Sequence, residues 1–157
     1  MLDIFYKNND LLILNQEKKW ISFNIESKEV FLDGYNVTFS WEYEKSAILL
    51  EVKEYNKKLF YNFLIDSKHI VIITEDSFEL KEEILDFIWD VDILIITSSK
   101  EACKIFESIE SKIVIPYWEG KDIFLNTLWQ VTPEIESYRQ KWELPIDNTE
   151  FVNLSLQ

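Results

Sequence analysis

A thiol and an imidazole are the first side chains in this sequence that could do chemistry, because together they can form an activated nucleophile. The chain contains one cysteine, Cys103, and one histidine, His69. Cys103 lies beside Ala102 and Phe106 at helical spacing, on the apolar side of a predicted helix, so we expect it to pack in the core as a small hydrophobic residue. His69 opens a predicted buried strand, where we expect a surface or hydrogen-bonded residue and no catalyst.

A pair of carboxylates could serve as a general acid and base. Glu42 and Glu44 lie two residues apart on a predicted strand, so both side chains point to the same face of the sheet. Trp41 and Tyr43 alternate with them and take the face that normally lies against the core. We therefore expect the two glutamates on a solvated face with no catalytic role.

Sites for phosphate and metal ions are the remaining chemical possibilities. A phosphate-binding loop needs clustered glycines, and the chain has only two glycines, Gly34 and Gly120, which are far apart. Zinc clusters need several histidine or cysteine ligands. An all-oxygen site for Mg²⁺ or Ca²⁺ stays open, although no EF-hand spacing occurs. We predict no catalytic residue and no cofactor.

Length and charge restrict the partners. The 157 residues are 47% hydrophobic, which is the size and composition of one domain covering residues 1–157. The 29 acidic and 16 basic residues give a formal charge of −13, which repels nucleic acids and anionic membranes. The charge is explained by solubility, by attraction of a basic protein, or by mimicry of nucleic acid.

The cellular location follows from cysteine content and apolar runs. A single cysteine cannot form an internal disulfide, and residues 1–7 lack the basic-then-apolar order of a signal peptide. The longest apolar runs, such as 70–73 and 93–96, are far shorter than the roughly 20 residues needed to span a bilayer. We predict a cytoplasmic protein without a transmembrane segment.

The first 65 residues have the pattern of strands. Short runs of β-branched and aromatic residues are separated by polar breaks, one of which is Lys7-Asn8-Asn9-Asp10. These runs predict an antiparallel meander of strands over 2–6, 11–14, 19–25, 29–32, 36–43, 46–54 and 58–65.

From residue 69 the periodicity changes. Apolar strands over 70–73, 92–96 and 112–115 alternate with a helix over 79–90 and a helix that begins near Ser98, which has capping-box spacing to Glu101. Alternation of this kind predicts parallel strands joined by right-handed crossovers. In the tail we expect a short helix over 121–129, a second helix opening at Thr132-Pro133 with Tyr138 and Trp142 on one side, and an edge strand over 150–155.

Four stretches of the chain resemble the motifs of one known family. The stretch 41–44 is similar to a Pro-Gly-Glu-Tyr-Glu segment, with Ser40-Trp41 standing where Pro-Gly would be. The stretch 60–76 is similar to a "dg-x-I-x-H-x-G-D" strand, 91–96 to "vDiLliP", and 109–120 to "I-x-P-K-I-V-I-P-M-H-Y-G". The chain thus resembles the metallo-β-lactamase superfamily, in particular its small hydrolase branch related to ascorbate-phosphate lactonases. The resemblance implies an α/β (α+β) sandwich with antiparallel N-terminal strands followed by strand-helix-strand-helix-strand units.

The family's metal chemistry depends on a His-x-His-x-Asp-His cluster that holds two metal ions, and this chain contains no such cluster. By the resemblance, Asp76 matches the metal-bridging aspartate, whereas Trp118, which follows Tyr117, replaces the family's last histidine. Asp76 is therefore the single candidate metal ligand. Its alternative role is to precede the 79–90 helix, where a carboxylate is favoured by the helix dipole.

Taken together, these features favour a degenerate, non-catalytic member of that fold, a pseudoenzyme that serves as a protein-binding or assembly subunit. It would contact a protein partner or a second copy of itself, with Trp118, Tyr117 and Trp41 as the candidate contact residues. Two alternatives stay open. One is a metal-dependent phosphodiesterase or lactonase whose ligands are carboxylates, with Asp76, Glu75 and Glu119 at the site, and the other is an acidic inhibitor of a nucleic-acid-binding protein.

Overall fold

Tight turns join the strands of the first half of the chain. In five two-residue turns of the described chain both residues have a positive φ, which is the geometry that suits the right-handed twist of a hairpin. The turns are Asn8-Asn9, Asp33-Gly34, Ser46-Ala47, Asn56-Lys57 and Asp66-Ser67. Asn and Asp adopt this conformation more readily than other non-glycine residues, so four of the five turns begin with a favourable residue.

The computed structural model describes residues 1–88, 90–117, 120–140 and 143–156. A first sheet of six strands has the order β13-β1-β2-β3-β4-β5 and is antiparallel throughout. Its strands are β1 (Leu2–Lys7), β2 (Asp10–Leu14), β3 (Trp20–Asn24), β4 (Val30–Leu32), β5 (Tyr35–Val37) and, from the tail, β13 (Ser137–Gln140).

A second sheet of seven strands has the order β14-β11-β10-β9-β8-β7-β6. Its strands are β6 (Trp41–Lys45), β7 (Ile48–Tyr55), β8 (Lys58–Ile65), β9 (Lys68–Ile73), β10 (Val91–Thr97), β11 (Ser111–Tyr117) and β14 (Glu150–Phe151). Strands β9, β10 and β11 are parallel, and the helices α1 (Glu82–Phe87) and α2 (Lys100–Glu107) lie in the connections between them. Helix α3 (Lys121–Thr127) follows β11, and β12 (Glu134–Ile135) pairs with β15 (Asn153–Leu154).

Two hydrophobic cores hold these layers together. The first core lies between the two sheets and includes Ile70 and Ile72, whereas the second lies between the second sheet and the helices and includes Val71 and Ile73. Alternate residues of β9 therefore enter different cores, which explains why the parallel strands are apolar at every position. The predicted α/β (α+β) architecture, with an antiparallel first half and strand-helix-strand units after it, is confirmed.

Three predicted elements differ from the structure. The strand expected over 36–43 is two strands, because the chain leaves the first sheet after Val37 and enters the second sheet at Trp41. The helix expected over 79–90 begins only at Glu82, with Lys81 as its N-cap residue, so Asp76 does not lie at its N-terminus. The strand expected over 150–155 is divided into β14 and β15, which pair with different neighbours.

The helix predicted from Thr132 onward is wrong. Residues 134–135 and 137–140 are strands, and β13 pairs with β1 along its outer side, for example Ile4 with Tyr138. Pairing of this edge satisfies backbone groups of β1 that would otherwise lack partners, and this gain outweighs local helix propensity. Trp142, the last residue of the predicted helical stripe, lies outside the described residues. Among the described residues no helix is long and apolar enough to cross a membrane.

Candidate functional site

The carboxyl ends of the parallel strands meet at one edge of the second sheet. Glu75 and Asp76 follow β9, Thr97 ends β10 and Tyr117 ends β11. The turn after β3, from the first sheet, faces this edge. Between them is a cavity of about 450 Å³, here called the strand-end cavity, which is lined by Ile25, Glu26, Lys28, Thr97 and Tyr117.

An ion pair links the two sheets beside this cavity. The ammonium of Lys28 lies 2.8 Å from Oε1 of Glu75, and both side chains are partly exposed. Lys28 has a φ of 61°, so the turn holds it in the left-handed region. The pairing means that Glu75 has a cationic partner and is not a free metal ligand.

In the described parts of the chain, Glu75 and Asp76 are not joined by a third side chain of the kind that a metal site needs. Residues 1–88, 90–117, 120–140 and 143–156 contain no group of three or more His, Cys, Asp or Glu side chains that could hold a metal ion. Asp76 is partly buried and close enough to Tyr117 to affect the pKa of its phenol. Glu119 and Trp118, which the sequence placed at the same site, lie outside the described residues.

Tyr117 is a core residue and not an exposed anchor. Its side chain is 2% exposed, and its ring meets the ring of Phe23 edge-on with a centroid distance of 5.0 Å. Burial raises the pKa of the phenol well above its usual range, and the carboxylates of Glu75 and Asp76 act in the same direction. The contact role expected for Tyr117 therefore has to be corrected, because a phenol enclosed in this way cannot meet a partner directly.

Ser98 and Gly120 shape the loop at this end of the strands. The hydroxyl of Ser98 donates a hydrogen bond to the carbonyl of Tyr117. A Cβ atom on Gly120 would lie 2.5 Å from the carbonyl oxygen of Ser98, so only glycine fits here. The sequence predicted no role for Gly120, because it was considered only as part of a phosphate loop. The contact that requires glycine is with Ser98, 22 positions earlier in the chain.

The thiol and the imidazole have separate structural roles. Cys103 is 3% exposed, and its Sγ lies 3.5 Å from the carbonyl oxygen of Ser99 and 3.7 Å from that of Phe124. The low exposure confirms the predicted core packing of Cys103, and the same burial raises the pKa of the thiol. The backbone N–H of His69 donates to the carboxylate of Asp92 at 2.8 Å, and Asp92 also pairs with Lys112 at 3.2 Å.

A second feature lies at the border of the sandwich where β5 and β6 are the outermost strands of the two sheets. Four aromatic residues gather there, and we call them the aromatic edge: Tyr35, Phe39, Trp41 and Tyr43. Their exposed fractions are 49% for Tyr35, 59% for Phe39 and 69% for Trp41, whereas Tyr43 is half-buried. The ring of Tyr43 lies 5.8 Å from that of Tyr35 and 6.4 Å from that of Phe39, so Tyr43 connects these two rings.

The register explains the exposure of Trp41. Trp41 is opposite Val52 and Tyr43 is opposite Leu50, and both partners are buried in the core between the sheets. The two aromatic residues therefore lie on the inner face of β6, as the sequence predicted. Trp41 is nevertheless largely exposed, because it belongs to the outermost strand, where no further strand covers it.

Glu42 and Glu44 lie on the other face of β6 and are exposed, as predicted. Glu42 is directly opposite Glu51 of β7. A shallow groove of about 500 Å³ runs along this border and is lined by Ser40, Trp41, Glu42, Glu51, Val52 and Lys53. The carboxylate pair is therefore part of a solvated, acidic strip beside an exposed tryptophan.

The chain matches no protein-family model and no curated protein sequence. Its structure is similar to the crystal structure of a protein from Thermotoga maritima described as a proposed Zn-dependent hydrolase of the metallo-β-lactamase superfamily. The two chains share 14% identity with a TM-score of 0.73, and the likeness covers 98% of this chain and 99% of that one. At this identity the likeness establishes the fold, which is a metallo-β-lactamase-like sandwich, and leaves the activity open.

Proposed function

We propose that this chain is a non-catalytic domain of metallo-β-lactamase-like fold that acts by binding a protein partner through the aromatic edge. The observation that carries the proposal is the exposure of Tyr35, Phe39 and Trp41 at one border of the sandwich. Large aromatic side chains are costly to leave in water and are the usual anchors of protein interfaces. Several of them exposed at one border of the sandwich favour an interaction site there.

The pairing of Glu75 with Lys28 favours a non-catalytic role over the alternative of a carboxylate-dependent hydrolase. The Thermotoga maritima protein is described as a proposed Zn-dependent hydrolase. A zinc hydrolase needs several protein ligands to the metal and an open coordination position for water. In this chain the cysteine is buried, and Glu75 is held by a lysine 2.8 Å away. A phosphodiesterase or lactonase would have to use Asp76 with residues outside this ion pair.

The distribution of charge speaks against the acidic inhibitor. Exposed carboxylates occur in both sheets and on the helices, as at Glu17 in the turn between β2 and β3, at Glu42 of β6 and at Glu101 of α2. A mimic of nucleic acid needs its charges concentrated on one face. The spread of carboxylates over several elements favours solubility as the main effect of the net charge.

A comparison of two tryptophan variants tests the proposal. We expect Trp41→Ala to reduce capture of the natural partner at least about tenfold after cross-linking in cells of the source organism, because a central aromatic anchor contributes roughly 2 kcal/mol or more. Trp129→Ala is the matched control, since Trp129 is 91% exposed and lies after α3, away from β6 in the chain.

Two results would contradict the proposal. One is equal capture by the wild type and Trp41→Ala, with both proteins folded by circular dichroism. The other is elemental analysis of protein purified without chelator that finds two tightly held zinc or manganese ions per chain, together with hydrolase activity that is lost in Asp76→Ala.

A further inference from the structure

Strand β6 has an open side. It is the last strand of the seven-stranded sheet and pairs only with β7, from Trp41 opposite Val52 to Lys45 opposite Ile48. In an antiparallel pair, alternate residues direct their backbone N–H and C=O groups away from the partner. No backbone bond from the described residues satisfies these groups on the outer side of β6. Such an edge is a template for strand addition.

The face of β6 that points away from the core between the sheets, here called its outer face, carries uncompensated negative charge. Glu42 is directly opposite Glu51, an arrangement that costs free energy because like charges face each other across neighbouring strands. Among the described residues, Glu42, Glu44 and Glu51 form no ion pair. An occupant with positive side chains on this face would relieve the repulsion.

The lysines nearest in sequence are turned elsewhere. Lys45 lies on the inner face, opposite Ile48, and donates to the carbonyl of Asp33 at 2.9 Å. Lys53 belongs to the outer face of β7, but its ammonium lies 5.3 Å from the ring centroid of Phe87, over that ring. Within the described residues neither ammonium forms an ion pair with Glu42 or Glu44, so an occupant that brings its own cations would match this strip.

Symmetry argues against a second copy of the chain at this edge. A two-fold axis perpendicular to the sheet pairs residues that lie on the same face of the two copies. The outer-face residues of β6 are Glu42 and Glu44, so every antiparallel register with three or more overlapping residues places a glutamate opposite a glutamate. Self-association here would add like-charge pairs to the one that β7 already makes.

The inner face of β6, which carries Trp41, sets a second requirement for the occupant. Trp41 is 69% exposed on this face, and Phe39 is 59% exposed just before the strand begins. An added strand would direct every second side chain toward these rings, and apolar side chains there would cover them. Building on the proposed function, we propose that β6 accepts an extended basic segment of the partner protein as an eighth strand, with Lys or Arg alternating with apolar residues.

Synthetic peptides provide a direct test on the full chain. The probe is a seven-residue peptide of alternating Lys and Val, with capped ends. Its control is the same peptide with an N-methyl group on every backbone nitrogen, which keeps the charge but removes the backbone donors on both edges. We expect the first peptide, and not the second, to slow hydrogen exchange of the amides in 41–45.

Charge-neutralising variants add a second readout. We expect Glu42→Gln combined with Glu44→Gln to weaken binding of the basic peptide about tenfold, because both carboxylates that face its cations are neutralised. Glu82→Gln combined with Glu83→Gln, in the exposed first turn of α1, is the control and leaves binding unchanged. Equal binding by the two double variants, equal binding of the two peptides, or protection outside 41–45 would overturn the inference.

The two proposals can fail separately. If Trp41→Ala abolishes capture of the natural partner while the Lys-Val peptide leaves 41–45 unprotected, the protein-binding role stands and strand addition is wrong. If Trp41→Ala leaves capture unchanged, the protein-binding role through the aromatic edge is wrong, whatever the peptides do.

Discussion

At the scale of single residues, Lys121 shows how a charged side chain can become part of the core. It is the first residue of α3 and is only 5% exposed. Its ammonium donates to Oε2 of Glu134 at 2.6 Å and to the carbonyl of Leu154 at 2.5 Å. A buried charge is tolerated only when it is paired and hydrogen-bonded, and both acceptors belong to the small sheet of β12 and β15. Lys121 therefore joins α3 to the tail of the chain.

Replacing Lys121 tests this connection. We expect Lys121→Met to lower the free energy of unfolding by about 2 kcal/mol, because the buried carbonyl of Leu154 loses its charged donor while the aliphatic stem is kept. Glu134→Gln keeps an oxygen acceptor for the ammonium but removes its counter-charge, so it should also lower the free energy of unfolding, by about 1 kcal/mol or more. Urea denaturation of the wild type and both variants measures the losses. Unchanged stability of Lys121→Met would show that the contacts of the ammonium contribute nothing to the fold.

At the scale of elements, the start of α2 is set by a competition between two neighbouring serines. The sequence predicted a cap at Ser98 with Glu101, but the N-cap residue is Ser99, whose Oγ accepts from the backbone N–H of Ala102 at 3.0 Å. The hydroxyl of Ser98 instead donates to the carbonyl of Tyr117 on β11. A contact with a distant strand thus moves the beginning of the helix by one residue.

Serine-to-alanine variants test the cap at Ser99. Ser99→Ala removes the acceptor for the first turn of α2, and we expect it to lower the free energy of unfolding by about 1 kcal/mol. Ser108→Ala, at the exposed C-terminal end of the same helix, should change it by less than about 0.5 kcal/mol. Thermal or urea unfolding provides the measurement. A cap at Ser98 would be indicated if Ser99→Ala had no effect.

At the scale of the whole molecule, several tyrosine side chains are buried because the two sheets pack over them. Burial raises the pKa of Tyr61 from 10.0 to about 12, with a further contribution from the nearby phenol of Tyr43. Burial also raises the pKa values of Tyr117 and Tyr138 above their usual range. These phenols lie in or against the core between the sheets, so ionising them conflicts with keeping the sheets together.

The sandwich should therefore lose stability at alkaline pH. Because the folded pKa of Tyr61 is raised, its contribution is present below pH 10 and is lost as the pH rises from about 10 through about 12. The loss assigned to Tyr61 amounts to roughly 2 kcal/mol. Denaturant unfolding at several pH values measures it, and Tyr61→Phe should show a shallower decline. An identical decline in the wild type and in Tyr61→Phe would show that titration of other groups causes the loss of stability.

Local pattern was sufficient for the regular parts of the fold. The polar break at Asn8-Asn9 predicted a hairpin, and apolar residues at every position of 70–73 predicted a strand covered on both faces. The burial of Cys103 and the solvated face of Glu42 and Glu44 also followed from periodicity. These inferences hold because hairpin turns and alternating faces depend on residues that are close together in the chain.

Tertiary structure alone decided the features that depend on distant partners. Residues 137–140 have a helical pattern but form β13, because the edge of β1 offers a row of backbone hydrogen bonds. Tyr117 became a core residue because the two sheets close over it, and Trp41 stayed exposed because β6 is the last strand of its sheet. The sequence by itself determined the periodicities, the charge and the scarcity of metal ligands. Which aromatic side chain lies inside and which lies at an open edge depends on sheet order, and sheet order is set by contacts between residues far apart in the chain.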